Sequence, residues 1–180
     1  MVGTEETRLI VLRGNSASGK SSIAAGLRAQ FGRNLALVGQ DNLRRIVLHE
    51  RDRPGAANIG LIGVTARYAL DAGFHTIVEG ILYADRYAAM LEDLMRDHRG
   101  ITRCYYLDVP LQETLVRHAT KPDLADLAQV TEEHLRDWYR ERDLLPSGLE
   151  TVIEASSGLD DTVKRIMCEA GLDKMPAVDR

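Results

Sequence analysis

The chain has 180 residues, 44% of them hydrophobic, and its 23 Lys and Arg stand against 27 Asp and Glu for a formal net charge of −4. That supports one core of ordinary size and leaves no room for a second catalytic or regulatory domain, and the mild acidity argues against a protein that coats nucleic acid or an anionic membrane. No apolar stretch approaches the ~18 residues of a membrane span, and Met1 to Thr7 lacks the basic and apolar regions of a secretory signal, so a cytoplasmic protein is expected.

Leu9-Ile10-Val11-Leu12 reads as a first strand. It runs into Arg13-Gly14-Asn15-Ser16-Ala17-Ser18-Gly19-Lys20-Ser21-Ser22, which fits the spacing G-x-x-x-x-G-K-[ST] between a strand and a helix. This pattern makes a phosphate cradle, because the two glycines let backbone N–H groups turn inward and the helix start adds the positive end of its dipole. Residues Gly14 to Ser22 are therefore expected to hold the phosphates of a nucleotide, with Lys20 reaching the β- and γ-phosphates and the Ser21 hydroxyl on Mg²⁺. The plain alternative is a Gly- and Ser-rich turn joining strand to helix.

The helix after Lys20 is predicted to end at Phe31-Gly32, and Leu35 to Val38 forms the second strand. A second helix starts near Asp41, a good N-cap, and runs toward His49; Pro54-Gly55 breaks it, and Asn58 to Ala72 resumes before Gly73. Thr76 to Val78, Cys104 to Leu107 and Thr151 to Ile153 are the remaining strands, with amphipathic helices over Asp85 to His98 and Leu159 to Ala170. Strands alternating with helices imply a parallel sheet covered on both faces. Leu111 to Leu145 is longer and more charged than the other connections and reads as a lid of two helices around Pro122, carrying Arg117, Lys121, Arg136, Arg140 and Arg142. Arg117 and Lys121 closely follow the fourth strand and are the lid cations favoured for catalysis; a solvated hairpin with Leu135, Trp138 and Leu144 packed down is the competing picture. The tail from Asp173 to Arg180 is expected to fray, and Cys104 and Cys168, with no Cys-x-x-Cys, to be buried, reduced and structural.

Ligands of an open parallel sheet bind beyond the carboxyl ends of its strands, where Asp41, Glu79 and Asp108 stand. Phosphoryl transfer to an alcohol needs a group that accepts the hydroxyl proton and a carboxylate that holds Mg²⁺ or its waters. Asp41 and Glu79 are assigned these roles, against an N-cap for Asp41 and an arginine-paired strand end for Glu79. Asp108, before Val109-Pro110, looks like a turn residue. Arg44 lies one turn after Asp41, so the pair is placed to receive a hydroxyl and a neighbouring polar or anionic group of one acceptor, or simply to pair with itself. Tyr83 and Arg86 are candidates to line the same acceptor pocket.

With these motifs in place, nearly the whole chain resembles the small P-loop kinases, in the group that includes polynucleotide kinase domains, zeta-toxin-like kinases and chloramphenicol phosphotransferase-like enzymes. The resemblance rests on the P-loop, Asp41-x-x-Arg44, the strand ending in Glu79-Gly80, the Leu107-Asp108-Val109-Pro110 corner and the lid. It implies an α/β three-layer sandwich around a five-stranded parallel sheet of order 2-3-1-4-5, with ATP and Mg²⁺ as cofactors. It also implies that Asp41 matches the acceptor-activating aspartate and Arg44 the arginine one turn later in polynucleotide kinases. Lys121 stands where the group's lid would carry an arginine, and Ser156, within Glu154-Ala155-Ser156-Ser157, falls where such kinases close around adenine.

The function expected is ATP- and Mg²⁺-dependent phosphorylation of a hydroxyl of a small metabolite, nucleoside-like compound or antibiotic. A 5′-hydroxyl polynucleotide kinase is the first alternative, since Arg44, Arg45, Arg51 and Arg53 form a basic run, though net acidity and the lack of interleaved aromatics count against nucleic acid. A nucleotide-binding regulatory module without turnover is another. A GTPase switch fits poorly: Thr120-Lys121-Pro122-Asp123 mimics a guanine-recognition pattern but lies far from a strand end, and Val78-Glu79-Gly80 is not the required Asp-x-x-Gly.

Overall fold

Five short apolar runs form one parallel sheet in the computed structural model, which describes residues 1–120 and 130–175. The strands are β1 (Arg8–Gly14), β2 (Leu35–Gly39), β3 (His75–Gly80), β4 (Ile101–Asp108) and β5 (Glu150–Glu154), in the order β2-β3-β1-β4-β5. This is the expected order. Central β1 pairs Leu9 with Thr76 of β3 and with Thr102 of β4, and both of its faces are covered. Ile10 and Leu12 pack under α1 (Lys20–Phe31) and α6 (Leu159–Glu169), while Leu9 and Val11 pack under α2 (Ala57–Asp71) and α3 (Ala84–Asp97). All four side chains are fully buried, as a strand covered on two faces requires. Because β1 lies between β3 and β4, the chain leaves its carboxyl end in a crevice where neighbouring connections diverge, the usual ligand position of such sheets.

The segment after β2 departs from expectation. It is a six-residue π-helical turn, Asn42–Val47, closed by the Leu48 amide donating to the Leu43 carbonyl at 3.0 Å. Asp41 has helical torsions (φ −63°, ψ −38°) and makes no side-chain cap, so the N-cap expectation fails. The residue that caps the next helix is Glu50, whose two oxygens accept from the Ala57 and Asn58 amides at 3.0 and 2.9 Å. These bonds to the ionised form lower its pKa.

The predicted lid contains α4 (Leu111–Ala119) and α5 (Glu132–Trp138), the latter opened by a capping box between Thr131 and His134. Lys121, the Pro122 break, Asp123 and the tail beyond Met175 lie outside the described residues. Leu135 is buried, whereas Trp138 and Leu144 each remain 37% exposed, so only the first of the three anchors in the competing hairpin picture packs fully. Cys104 is buried beneath α3, but Cys168 is exposed and the expectation for it is corrected: its position on α6 falls outside the stripe of Val163, Ile166 and Met167 that faces the sheet. No described helix is long and apolar enough to cross a membrane.

A buried ion network ties the crevice together. Arg13, fully buried at the end of β1, donates to Glu150 at 2.6 Å, to Asp143 at 3.2 Å and twice to the Leu82 carbonyl at 3.0 and 2.8 Å. Removing one member would leave an uncompensated buried charge, so the group holds the ends of β1 and β5 and the segments at residues 82 and 143 in one register.

Candidate active site

The loop between β1 and α1 takes its shape from backbone that only glycine tolerates at two points. Gly14 has φ +145° and lies so near β4 that a Cβ would meet the Leu107 carbonyl at 2.8 Å; Gly19 has φ +104°. Gly19 occupies the N-cap position of α1 and has no side chain with which to cap it, which leaves the first-turn N–H groups facing the crevice. Lys20, nearly buried, points back over the loop and donates to the Asn15 carbonyl at 2.7 Å and to Ser18 Oγ at 3.2 Å. Ser21 and Ser22 are exposed at the mouth.

Across the crevice, Ser21 Oγ donates to Glu79 Oε2 at 3.5 Å. Burial pushes the Glu79 carboxyl above the ordinary glutamate range; the charge of Lys20 pulls it back and that of Asp41 adds to the rise. Lys20, Asp41 and Glu79 thus share one electrostatic neighbourhood. Glu79 shows no arginine partner among the described residues, contrary to the alternative weighed for it. A hydroxyl and one carboxylate are hard oxygen donors of the kind Mg²⁺ takes when phosphates and water complete its octahedron. Among the described residues no cluster of three or more His, Cys, Asp and Glu converges.

Asp41 lies at the outer lip with its carboxylate 72% exposed, and Arg44 Nη2 donates to its Oδ1 at 2.9 Å. The π-helical turn brings the two together as the one-turn spacing predicts. Behind them is a polar floor of which sequence reasoning named only Arg86. Tyr87 donates to Asp52 at 2.7 Å and receives the Gln40 amide at 2.8 Å, and Arg86 binds the Asp52 carboxylate at 3.2 Å and its carbonyl at 2.9 Å. Burial and the Asp52 contact drive the Tyr87 pKa far up, so this phenol stays protonated as a donor. Tyr83 stands between two guanidinium groups, Arg140 at 4.0 Å and Arg86 at 4.9 Å from its ring.

On the other side of the loop a cavity of about 410 Å³ is lined by Ala17, Ser18, Gly19, Ser22, Arg117, Glu154, Ser156 and Thr162, among others. Arg117 is fastened there. It donates to the Ser18 carbonyl at 3.0 Å and to the Ala155 carbonyl at 3.4 Å, and pairs with Glu113. Ser156, placed by resemblance alone, does line this cavity, while Ser16 does not. Asn15 belongs to the loop, yet its side chain faces away toward the segment after α5, bonding the Arg140 backbone. Arg136 pairs with Glu132, and Arg142 lies 3.6 Å from Asp108, which therefore ends β4 as a partner in an ion pair. Arg13 had no local signal beyond a charge after an apolar run, and Asp52 none beyond an acid between Arg51 and Arg53; Arg13 reaches a partner 137 residues away.

Residues 9–145, more than half of the chain, match the family model of an AAA domain. No curated protein matches the sequence. Among solved structures the chain is similar to a sugar kinase from Janibacter sp. HTCC2649, at 21% identity over 92% of this chain and 95% of that one, with a TM-score of 0.63. It is also similar to the APS kinase of Mycobacterium tuberculosis solved with AMPPNP and APS (17% identity, 94% and 98% covered, TM-score 0.65). A third is the tunicamycin resistance protein of Deinococcus radiodurans (18% identity, 92% and 96% covered, TM-score 0.56). The similarity is one of fold.

Proposed function

We propose a function from the premise that the chain belongs to the AAA domain family and has the fold of the small P-loop kinases: transfer of the γ-phosphoryl group of ATP to a hydroxyl of a small metabolite, nucleoside-like compound or antibiotic. One observation carries the reading. Ser21, Glu79, Lys20 and Asp41 meet at the carboxyl end of β1 and its neighbours, with Ser21 and Glu79 3.5 Å apart and Lys20 and Asp41 close enough to shift the Glu79 pKa in opposite directions. The whole chain acts as a single domain with a lid at about residues 111–145, continuing the expectation from its charge.

In this reading the N–H groups of Gly14 to Ser22 hold the phosphates and the 410 Å³ cavity beside Arg117 and Ser156 takes the nucleoside. Lys20 leaves the Asn15 carbonyl to neutralise charge on the transferring group. Asp41 orients the acceptor hydroxyl and takes its proton as the oxygen attacks the γ-phosphorus and the bond to the ADP oxygen breaks. Its exposure and lack of a capping duty leave one oxygen available while Arg44 holds the other. Ser21 and Glu79 would hold Mg²⁺, which would supply neutralising charge for the phosphates. Arg117, against the Ser18 carbonyl, adds positive charge to the loop, and Lys121 is the lid cation proposed to join it.

The test is an ATP-consumption screen with mass detection of product across sugars, small alcohols, aminoglycosides, chloramphenicol, nucleosides and 5′-hydroxyl oligonucleotides. A phosphorylated small product supports the reading; ATP binding with no product from any acceptor points to a regulatory module. The exposed Arg51 and Arg53 keep the polynucleotide alternative in the screen. A polynucleotide acceptor gives an affinity that falls steeply with salt as counterions are released, and a compact metabolite gives a shallow slope.

A further inference from the structure

Asn15 uses its side chain in the direction opposite to the phosphates. Its Oδ1 accepts the N–H of Arg140 at 2.9 Å and its Nδ2 donates to the carbonyl of the same residue at 2.7 Å, a reciprocal pair buried to 5% exposure. A carboxylate in its place would lack the donor, and an alanine would leave the Arg140 amide without this acceptor and its carbonyl with only the Tyr106 hydroxyl at 3.4 Å. The segment so held runs from the end of α5 toward β5, and it is anchored again on its far side. The Tyr83 hydroxyl donates to the Trp138 carbonyl at 2.7 Å, the Arg140 guanidinium grips Asp85 at 2.8 and 3.3 Å, and Asp143 takes Arg13 and the Ala84 amide.

The main-chain carbonyl of Asn15 is meanwhile an acceptor for Lys20 Nζ at 2.7 Å. An anionic phosphate in the loop competes for that ammonium, and a charge-assisted bond to phosphate is stronger than one to a neutral carbonyl. Resting on the nucleotide reading above, we propose that Asn15 is a positioning residue that couples occupancy of the phosphate loop to residues 138–143. When Lys20 turns from the Asn15 carbonyl to a phosphate, the Asn15 peptide readjusts. The amide pair then passes the shift to Arg140, two residues from the end of α5.

The protein carries its own probe. Trp138 is its single tryptophan; it is 37% exposed, stacked on His134 with ring centres 5.3 Å apart, and its carbonyl is the one bound by Tyr83. Mg²⁺ and ADP are titrated into the full chain with Trp138 emission and calorimetry read in parallel. In the wild type a saturable emission change should track the calorimetric isotherm. Asn15→Ala should still bind ADP, because main-chain N–H groups hold the phosphates, but should lose most of the emission change. Tyr83→Phe, outside the loop, should bind normally with a blunted change, since the segment loses its far anchor beside the probe.

Wild-type binding with a silent Trp138, or a full response in Asn15→Ala, overturns the coupling. Should Asn15→Ala fail to give a cooperative melt, Tyr83→Phe decides, and an unaltered response there overturns it. No calorimetric binding in the wild type defeats the nucleotide reading itself, a different failure.

Discussion

The two sides of the crevice are built from different materials. The proposed phosphate side is main chain held by burial: Gly14, Asn15, Ser18 and Lys20 are buried, and their geometry follows from a glycine spacing and the helix that succeeds it. The proposed acceptor side is side chains on irregular backbone. Its π-helical turn has no buried residue, Asp41 is 72% exposed, and its floor is a network of Gln40, Asp52, Arg86 and Tyr87 drawn from separate segments. Phosphates are common to every reaction of this type and can be met by a rigid local motif. An acceptor differs from enzyme to enzyme, and a few exposed side chains on a short turn are free to vary without disturbing the core.

If the division holds, the largest effect belongs to the phosphate side. Lys20→Ala should lower kcat by about 10³-fold or more while the melt stays cooperative, since its work is on charge that develops at the transferring group. Near-normal kcat in folded protein would remove the loop from the chemistry. Asp41→Asn should lower kcat by about 10²-fold or more, the range of a positioned base. Because Asp41 caps nothing and its pair with Arg44 is exposed, the same substitution should change stability by less than about 1 kcal/mol in denaturant melts. A large stability loss with activity intact would reverse the comparison and make Asp41 structural.

The same division explains what the sequence allowed to be read. All five strands were legible, because buried two-faced strands leave short apolar runs, and their order followed from the resemblance to the small P-loop kinases. Lys20, Ser21, Glu79 and Asp41 were placed together from spacing and strand ends alone. The turn at Asn42–Val47 was read as an ordinary helix, since periodicity does not separate a π-helical turn from an α-helical one over so few residues. The direction of the Asn15 side chain was invisible for another reason: its partner is a backbone group 125 residues away. Arg13 carried no role in the sequence and became the centre of a buried network only once Asp143 and Glu150 were brought to it.

A smaller effect is expected at Ser21 and Glu79, the proposed metal ligands, which sit on the seam between the two sides. Ser21→Ala should raise the Mg²⁺ concentration needed for half-maximal activity and recover much of its kcat at excess Mg²⁺, because water replaces one oxygen ligand in an octahedral shell. A magnesium titration of initial rates checks this. Unchanged magnesium dependence would place the ion elsewhere.

Glu79→Gln sharpens the seam from the side of stability. Burial holds the Glu79 carboxyl above its ordinary pKa, so the folded chain binds its proton more tightly than the unfolded chain does. Above the folded pKa the ionised carboxylate therefore costs stability, and that cost is relieved as pH falls through the folded pKa toward the unfolded value. The amide carries no such penalty. Without metal, Glu79→Gln should melt at a higher temperature than the wild type at neutral pH, and the difference should shrink on acidification. Added Mg²⁺ and ADP should raise the wild-type Tm more than the variant's, because only the wild type keeps the carboxylate that the ion uses. If instead Glu79→Gln lowers Tm at neutral pH in metal-free buffer, the carboxylate is supporting the fold, and its place in a metal site loses its main physical argument.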